Sequence, residues 1–160
     1  MSTERVKDFL SKWNREGEVR ELTVSTATSD LAAAALGVIV GRIAKSITLR
    51  HKENGALLLV VSGDARVDNK KFKKSFGFNP RMLSTDEALA YTGYAVGGIC
   101  PFDIPNNVSV YLDESLRRYE SVFPACGSSN SMIELAIDDL VEYSNSLGWV
   151  DVCNITAPVE

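Results

Sequence analysis

The chain has 160 residues, 45% of them apolar, and a net charge of −4 at pH 7, which fits one globular domain with a real hydrophobic core. The acidic balance excludes a broad polyanion-binding surface, so any contact with nucleic acid has to come from a local patch. No apolar run reaches the roughly 18 residues of a membrane span; Met1 to Arg15 is charged and unlike a signal peptide, and the three cysteines lack CxxC spacing and read as free thiols, so a cytoplasmic, non-membrane protein is expected.

Ser2 can cap a first helix, in which Val6, Phe9, Leu10 and Trp13 recur at helical spacing before Gly17. Val19 to Val24 reads as a short strand. Ser29 opens a second helix, Asp30 to Leu36, closed by Gly37. Ile47 to Arg50 and Ala56 to Ser62 read as strands joined by Lys52-Glu53-Asn54-Gly55, whose Asn-Gly step is a hairpin signal. Asp68 to Phe76 reads as a helix stopped by Gly77, and Ser84 with Glu87 forms a capping box for a helix to Tyr91. Val108 to Leu112, Ser121 to Ala125 and Ser131 to Ile137 read as strands, Asp138 to Asn145 as a helix and Val150 to Cys153 as a last strand. Without strict βαβ alternation, long linkers or repeats, these elements point to a single α+β domain over 1–160 with a mixed sheet.

Few residues here can carry chemistry. The one histidine, His51, reads as a solvated residue beside a hairpin, and with scattered cysteines it gives no metal site. No P-loop or GxGxxG is present. Backbone N–H groups, a lysine, hydroxyls and carboxylates remain. In Gly97-Gly98-Ile99-Cys100-Pro101-Phe102, two glycines free the backbone and a proline stiffens it, so several N–H groups can converge on one oxygen; the same residues also mark ordinary turns. Lys45, just ahead of an apolar strand, can project into a cleft or simply into solvent. The small polar loop Gly127-Ser128-Ser129-Asn130 can donate N–H and O–H groups or merely connect two strands. Lys70, Lys73 and Lys74, with Arg66 just before their helix, form a basic patch that suits RNA phosphates or a solvated helix face. Glu134 sits between Ile133 and Leu135 and points outward by strand alternation.

In order along residues 25–153, the stretches Ala32–Gly37, Gly41–Ser46, Val61–Asp68, Thr92–Phe102, Asp113–Leu116 and Gly127–Asn130 resemble the YbaK/prolyl-tRNA synthetase-associated family of free-standing aminoacyl-tRNA deacylases. The resemblance implies a mixed, partly barrel-like sheet flanked by helices. It implies hydrolysis of the ester that joins a wrong small amino acid to the 3′-terminal adenosine of tRNA(Pro) or a related tRNA, without cofactor or metal. The family's lysine matches Lys45. Its Gly-x-x-Pro-Phe loop matches Gly98 to Phe102, and its second glycine loop matches Gly127 to Asn130.

These residues suit that chemistry. An aminoacyl ester is already activated, so water or a substrate hydroxyl can attack it without a protein nucleophile. Backbone N–H groups of Gly97, Gly98 and Ile99 can hold the oxyanion, each donor typically supplying roughly 2.7–4 kcal/mol. Lys45 can fix a phosphate or the carbonyl, and Cys100, Pro101, Phe102 and Gly127–Asn130 can shape the pocket. One departure stands out: the family commonly continues Pro-Phe-Gly, and here Asp103 follows Phe102. A carboxylate near an anionic substrate keeps open a second reading, a non-catalytic tRNA- or synthetase-binding module. The acidic net charge further suggests that a synthetase, such as prolyl-tRNA synthetase, or an elongation factor supplies part of the tRNA contact.

Overall fold

The computed structural model describes residues 2–52 and 55–156. They run α1 (Ser2–Leu10), β1 (Arg20–Glu21), α2 (Ser29–Leu36), β2 (Ile43–Arg50), β3 (Ala56–Ser62), β4 (Ala65–Val67), α3 (Asn69–Phe76), α4 (Thr85–Thr92), β5 (Val108–Asp113), β6 (Ser121–Pro124), β7 (Ser131–Met132), β8 (Leu135–Ala136), α5 (Ile137–Tyr143), β9 (Trp149–Val150) and β10 (Cys153–Ile155). Six strands form one mixed sheet in the order β8-β6-β2-β3-β5-β9, curled into a half-barrel. Its centre is the antiparallel pair β2–β3, flanked by the parallel pairs β2–β6 and β3–β5. This is the mixed α+β class that the sequence leads one to expect. The Glu53-Asn54 part of the hairpin turn lies outside the described residues.

Strand β3 shows why the sheet closes as it does. All seven of its residues are buried, as expected of a strand covered on both faces, which reads as a continuous apolar run rather than an alternation. Leu58 and Val60 pack on the side of α1, α4 and α5, against Leu10, Ala88 and Leu140. Leu57, Leu59 and Val61 face the other way, against Phe72 of α3 and Val152. Caps fix the helix starts: the Ser84–Glu87 capping box is formed as expected, and the Asp68 carboxylate accepts from Lys71 N–H, so it precedes α3 instead of opening it. Thr28, rather than Ser29, caps α2, its hydroxyl accepting from Leu31 N–H.

Four strand segments depart from the sequence pattern by more than one residue, each because tertiary partners claim part of the segment. Strand β2 starts at Ile43, not Ile47, because Ile43 and Ala44 pair with β6; Lys45 therefore lies inside the strand. Of Val19 to Val24 only β1 is strand, since the residues after it bond to the second glycine loop and Val24 is 55% exposed. Ser131 to Ile137 breaks into β7, which pairs with β1, and β8, which pairs with β6. Glu134 at the break is held by Arg42 Nη2 (2.8 Å) and Ser121 Oγ (2.7 Å), and the Ser121 bond keeps its carboxylate below the usual range. Val150 to Cys153 is likewise two strands, with Val152 N–H donating to the buried Asp113 carboxylate between them.

Candidate functional site

The outer edge of β2 has a gap. Toward that edge it pairs with β6 only at Ile43 and Ala44, then bridges to Met82 at Leu49. Between these points no strand lies alongside among the described residues. The Ile43 carbonyl accepts from Gly63 on the β3 side, while Thr48 O and Arg50 N bond outward to Leu83 and Arg81. By alternation, the Ser46 N–H and C=O also face outward, and among the described residues nothing meets them. Ser46 Oγ is buried and has no hydrogen-bond partner either, although buried polar atoms are nearly always satisfied.

A cavity of about 240 Å³ opens at this gap, with Ile43 to Ser46 as its floor. Thr26 to Ser29 form one part of its wall, and Val96, Gly97 and Ile99 form another. Lys45 contributes a half-buried side chain. Its ammonium makes no hydrogen bond or ion pair among the described residues. Burial lowers its pKa below the ordinary lysine value, with Arg66 pushing the same way and Cys153, Asp64 and Asp30 opposing. A cleft lysine perturbed in this way is a functional-site candidate on physical grounds.

The first glycine loop splits into a half that lines the cavity and a half that anchors it. Gly97 has φ +98°, a conformation that suits glycine, and lies beside Ala27 and Ser129. The N–H groups of Gly97 and Ile99 have no acceptor among the described residues, whereas Gly98 N–H is taken by the Ala95 carbonyl at 3.0 Å. Cys100, Pro101 and Phe102 are buried behind the loop instead of lining it. Tyr94 Oη donates to the Phe102 carbonyl at 2.6 Å. Burial pushes the Cys100 thiol up to about 12.

The second loop supports the first. The space beyond Gly98 is filled by the Gly127-Ser128 backbone. The Ser129 carbonyl accepts from Thr26 N (2.6 Å) and Thr26 Oγ1 (3.2 Å), and Asn130 Nδ2 donates to Leu22 O (2.9 Å). Ser128 Oγ is occupied by Asn130 Oδ1 and Ser131 Oγ. Gly127–Asn130 thus carry the wall Thr26 to Ser29 and do not themselves border the cavity. Sequence reasoning missed that wall and Ser46. The wall reads as an ordinary polar link before a helix; Ser46 was signalled only by its place beside Lys45.

Arg66, Lys70, Lys73 and Lys74 are all exposed, Arg66 on β4 and the lysines on α3. Arg66 lies next to Lys45 across an apolar groove; Lys73 and Lys74 border neither that groove nor the cavity. His51 is half-buried, its ring stacked on Phe78 at 5.7 Å. Among the described residues no three His, Cys, Asp or Glu side chains cluster as metal ligands, and no helix is long and apolar enough to cross a membrane.

Comparison with known proteins places this geometry in context. The sequence profile of the aminoacyl-tRNA editing domain matches residues 23–143. The chain is 48% identical over 153 residues to the uncharacterized protein YwhH of Bacillus subtilis, covering 96% of this chain and 98% of that one. It is 29% identical over 119 residues to EbsC of Enterococcus faecalis, provisionally named a Cys-tRNA(Pro)/Cys-tRNA(Cys) deacylase, covering 74% and 73% of the two chains. A crystal structure provisionally described as a trans-editing enzyme for prolyl tRNA synthetase superposes with a TM-score of 0.85 at 31% identity, over 96% of this chain and 97% of that one.

Proposed function

The chain belongs to the aminoacyl-tRNA editing domain family, and from that premise we propose that it is a trans-editing deacylase, hydrolysing the ester of a mischarged small amino acid on tRNA(Pro) or a related tRNA. The observation that carries this reading is the cavity at the β2 gap, lined by Lys45, Gly97 and Ile99, whose ammonium has no partner and whose two loop N–H groups have no acceptor among the described residues. Its volume of about 240 Å³ suits a small aminoacyl group.

In this reading the aminoacyl carbonyl lies between the loop and β2. Water adds to the carbonyl carbon, and the N–H groups of Gly97 and Ile99 hold the oxyanion that forms. When the tetrahedral species collapses, the bond to the ribose oxygen breaks. One proton of the attacking water passes to that oxygen, which leaves as the free tRNA hydroxyl; the other is released to solvent, and the amino acid leaves as its carboxylate. Lys45 fixes the ester or the adjoining phosphate in the reacting geometry, and Ser46 offers its carbonyl to the substrate's ammonium. The Asp103 carboxylate, the feature that favours a non-catalytic module, is occupied by Arg5 at 2.9 Å and does not border the cavity. A synthetase as partner for tRNA recognition remains part of the proposal, supported by the similarity to the prolyl trans-editing structure.

The test is deacylation of Ala-, Ser-, Thr- and Cys-tRNA(Pro) beside Pro-tRNA(Pro), with wild type and Lys45→Ala. Hydrolysis of one or two mischarged species, spared Pro-tRNA(Pro) and an inactive variant are expected. Absence of turnover on every species, non-proline tRNAs included, would refute the proposal.

A further inference from the structure

We propose that the apolar groove beside Lys45 seats the 3′-terminal base of the RNA, with Arg66 and Lys70 meeting the phosphates that precede it. This rests on the reading of the neighbouring cavity as the aminoacyl site. The groove holds about 310 Å³ and is bordered by Ile47, Val67, Pro80 and Met82 together with Lys45 and Arg66. Met82 is 65% exposed, yet its main chain is fixed by the bridge to Leu49. Beyond Arg66 the surface continues as a polar hollow that includes Lys70 and Asn154.

Three observations favour a nucleotide over a peptide or a lipid. First, the walls are aliphatic, proline and thioether surface, which packs on the flat face of a base without reading its edges. Second, the bordering cations are available. Arg66 makes no ion pair among the described residues; Asp64 is bound by Arg118, and Asp68, which also borders the hollow, has its carboxylate engaged by Asn154 Nδ2 and Lys71 N–H. Third, Lys45 borders both the cavity and the groove. In an aminoacyl-tRNA the ester, the base and the 5′-phosphate hang on one ribose. A ligand with its aminoacyl group in the cavity therefore has its base and phosphate within one ribose's reach, and the groove lies across the Lys45 ammonium.

The experiment titrates the full chain, methyl-labelled at methionine, with the trinucleotide CCA and, separately, with AMP. CCA is expected to shift the Met82 methyl resonance and to bind more tightly than AMP, because it presents two phosphates to Arg66 and Lys70 where AMP presents one. Met82→Glu and Arg66→Ala are each expected to weaken CCA binding at least tenfold. Leu147→Glu, at an exposed position that borders neither cavity nor groove, leaves it unchanged. No Met82 shift at millimolar CCA, equal affinity for AMP, or wild-type affinity in Met82→Glu overturns the groove assignment. The two readings fail separately. Binding in the groove without turnover of any charged tRNA removes the deacylase and keeps the groove, whereas turnover with CCA affinity indifferent to Met82 does the reverse.

Discussion

A Cβ built on Gly98 would lie 2.6 Å from the backbone nitrogen of Ser128. The two glycine loops therefore meet main chain to main chain, and no flexible side-chain end is there to give way. Gly98→Ala forces them apart, at the roughly 1–3 kcal/mol typical of overpacking. The larger effect falls on activity, because a 1 Å misplacement of groups that touch the reacting carbon can cost about 100-fold. Urea denaturation with deacylation kinetics checks both. Gly17→Ala, where an added Cβ meets nothing within 4 Å, is the matched control and should change neither.

The fold half-buries the Lys45 side chain, and among the described residues its ammonium has no hydrogen bond or ion pair. Lys45→Met keeps the length of the side chain and removes the charge, so we expect a thermal midpoint no lower than wild type, with deacylation down at least 100-fold. The pH dependence carries the sign. Burial lowers the folded-state pKa below the ordinary 10.5, so between the two values the unfolded chain holds more protons than the folded one. In that window stability rises with pH. Wild type should gain on Lys45→Met as pH climbs toward 10.5 and run parallel to it at lower pH. Denaturation at a series of pH values decides; parallel curves throughout would mean that the ammonium is as well solvated as in the unfolded chain.

The sequence made the helices and the central hairpin legible because their signals are local: the Ser84–Glu87 box, the glycines after α2, α3 and α4, and the apolar run of β3. It could not show that Lys45 sits inside a strand, since β2 is lengthened by the pairing of Ile43 with Phe123, far away in the chain. The site was legible in part for the same reason. Lys45, Gly97 and Ile99 do converge, but Cys100 and Phe102 face the core. The wall Thr26 to Ser29 is positioned by a hydrogen bond to Ser129, more than 100 residues away, and no local pattern carries that contact.

Ser46 combines a buried, unpartnered hydroxyl with main-chain groups at an open strand edge. Leaving such a hydroxyl unsatisfied costs about 1–3 kcal/mol, so Ser46→Ala should raise the denaturation midpoint. If the hydroxyl holds substrate, the same change lowers deacylation by about tenfold, corresponding to one hydrogen bond of roughly 1.4 kcal/mol. A variant more stable and less active is the signature of a group kept for function. Equal activity would assign Ser46 no part through its side chain.

Cys100 belongs to the core, with its thiol at about 12. The thiolate is the reactive form, so iodoacetamide at pH 8 should leave the folded protein unmodified at this position and fully active. Mass spectrometry after brief alkylation locates any adduct. Rapid modification of Cys100 with parallel loss of deacylation would make the thiol accessible and part of the site.

Asp103 takes the left-handed conformation, φ +54°, which Asp tolerates better than most residues do. Arg5 secures it twice, through Nε to the carboxylate and Nη2 to the carbonyl, while Arg5 Nη1 donates to Thr92 O and its guanidinium lies 4.3 Å from the Tyr94 ring centroid. The charge pair is exposed and contributes roughly 0–1 kcal/mol, so Asp103→Asn should cost little. Asp103→Val, which cannot take this backbone conformation without strain, should cost about 1–3 kcal/mol. Neither residue of the pair borders the cavity, and Asp103→Asn should hydrolyse mischarged tRNA within twofold of wild type. The comparison that matters is KM for the charged tRNA: a severalfold fall in Asp103→Asn would show that the carboxylate repels the RNA despite Arg5, and that it tunes affinity from outside the cavity.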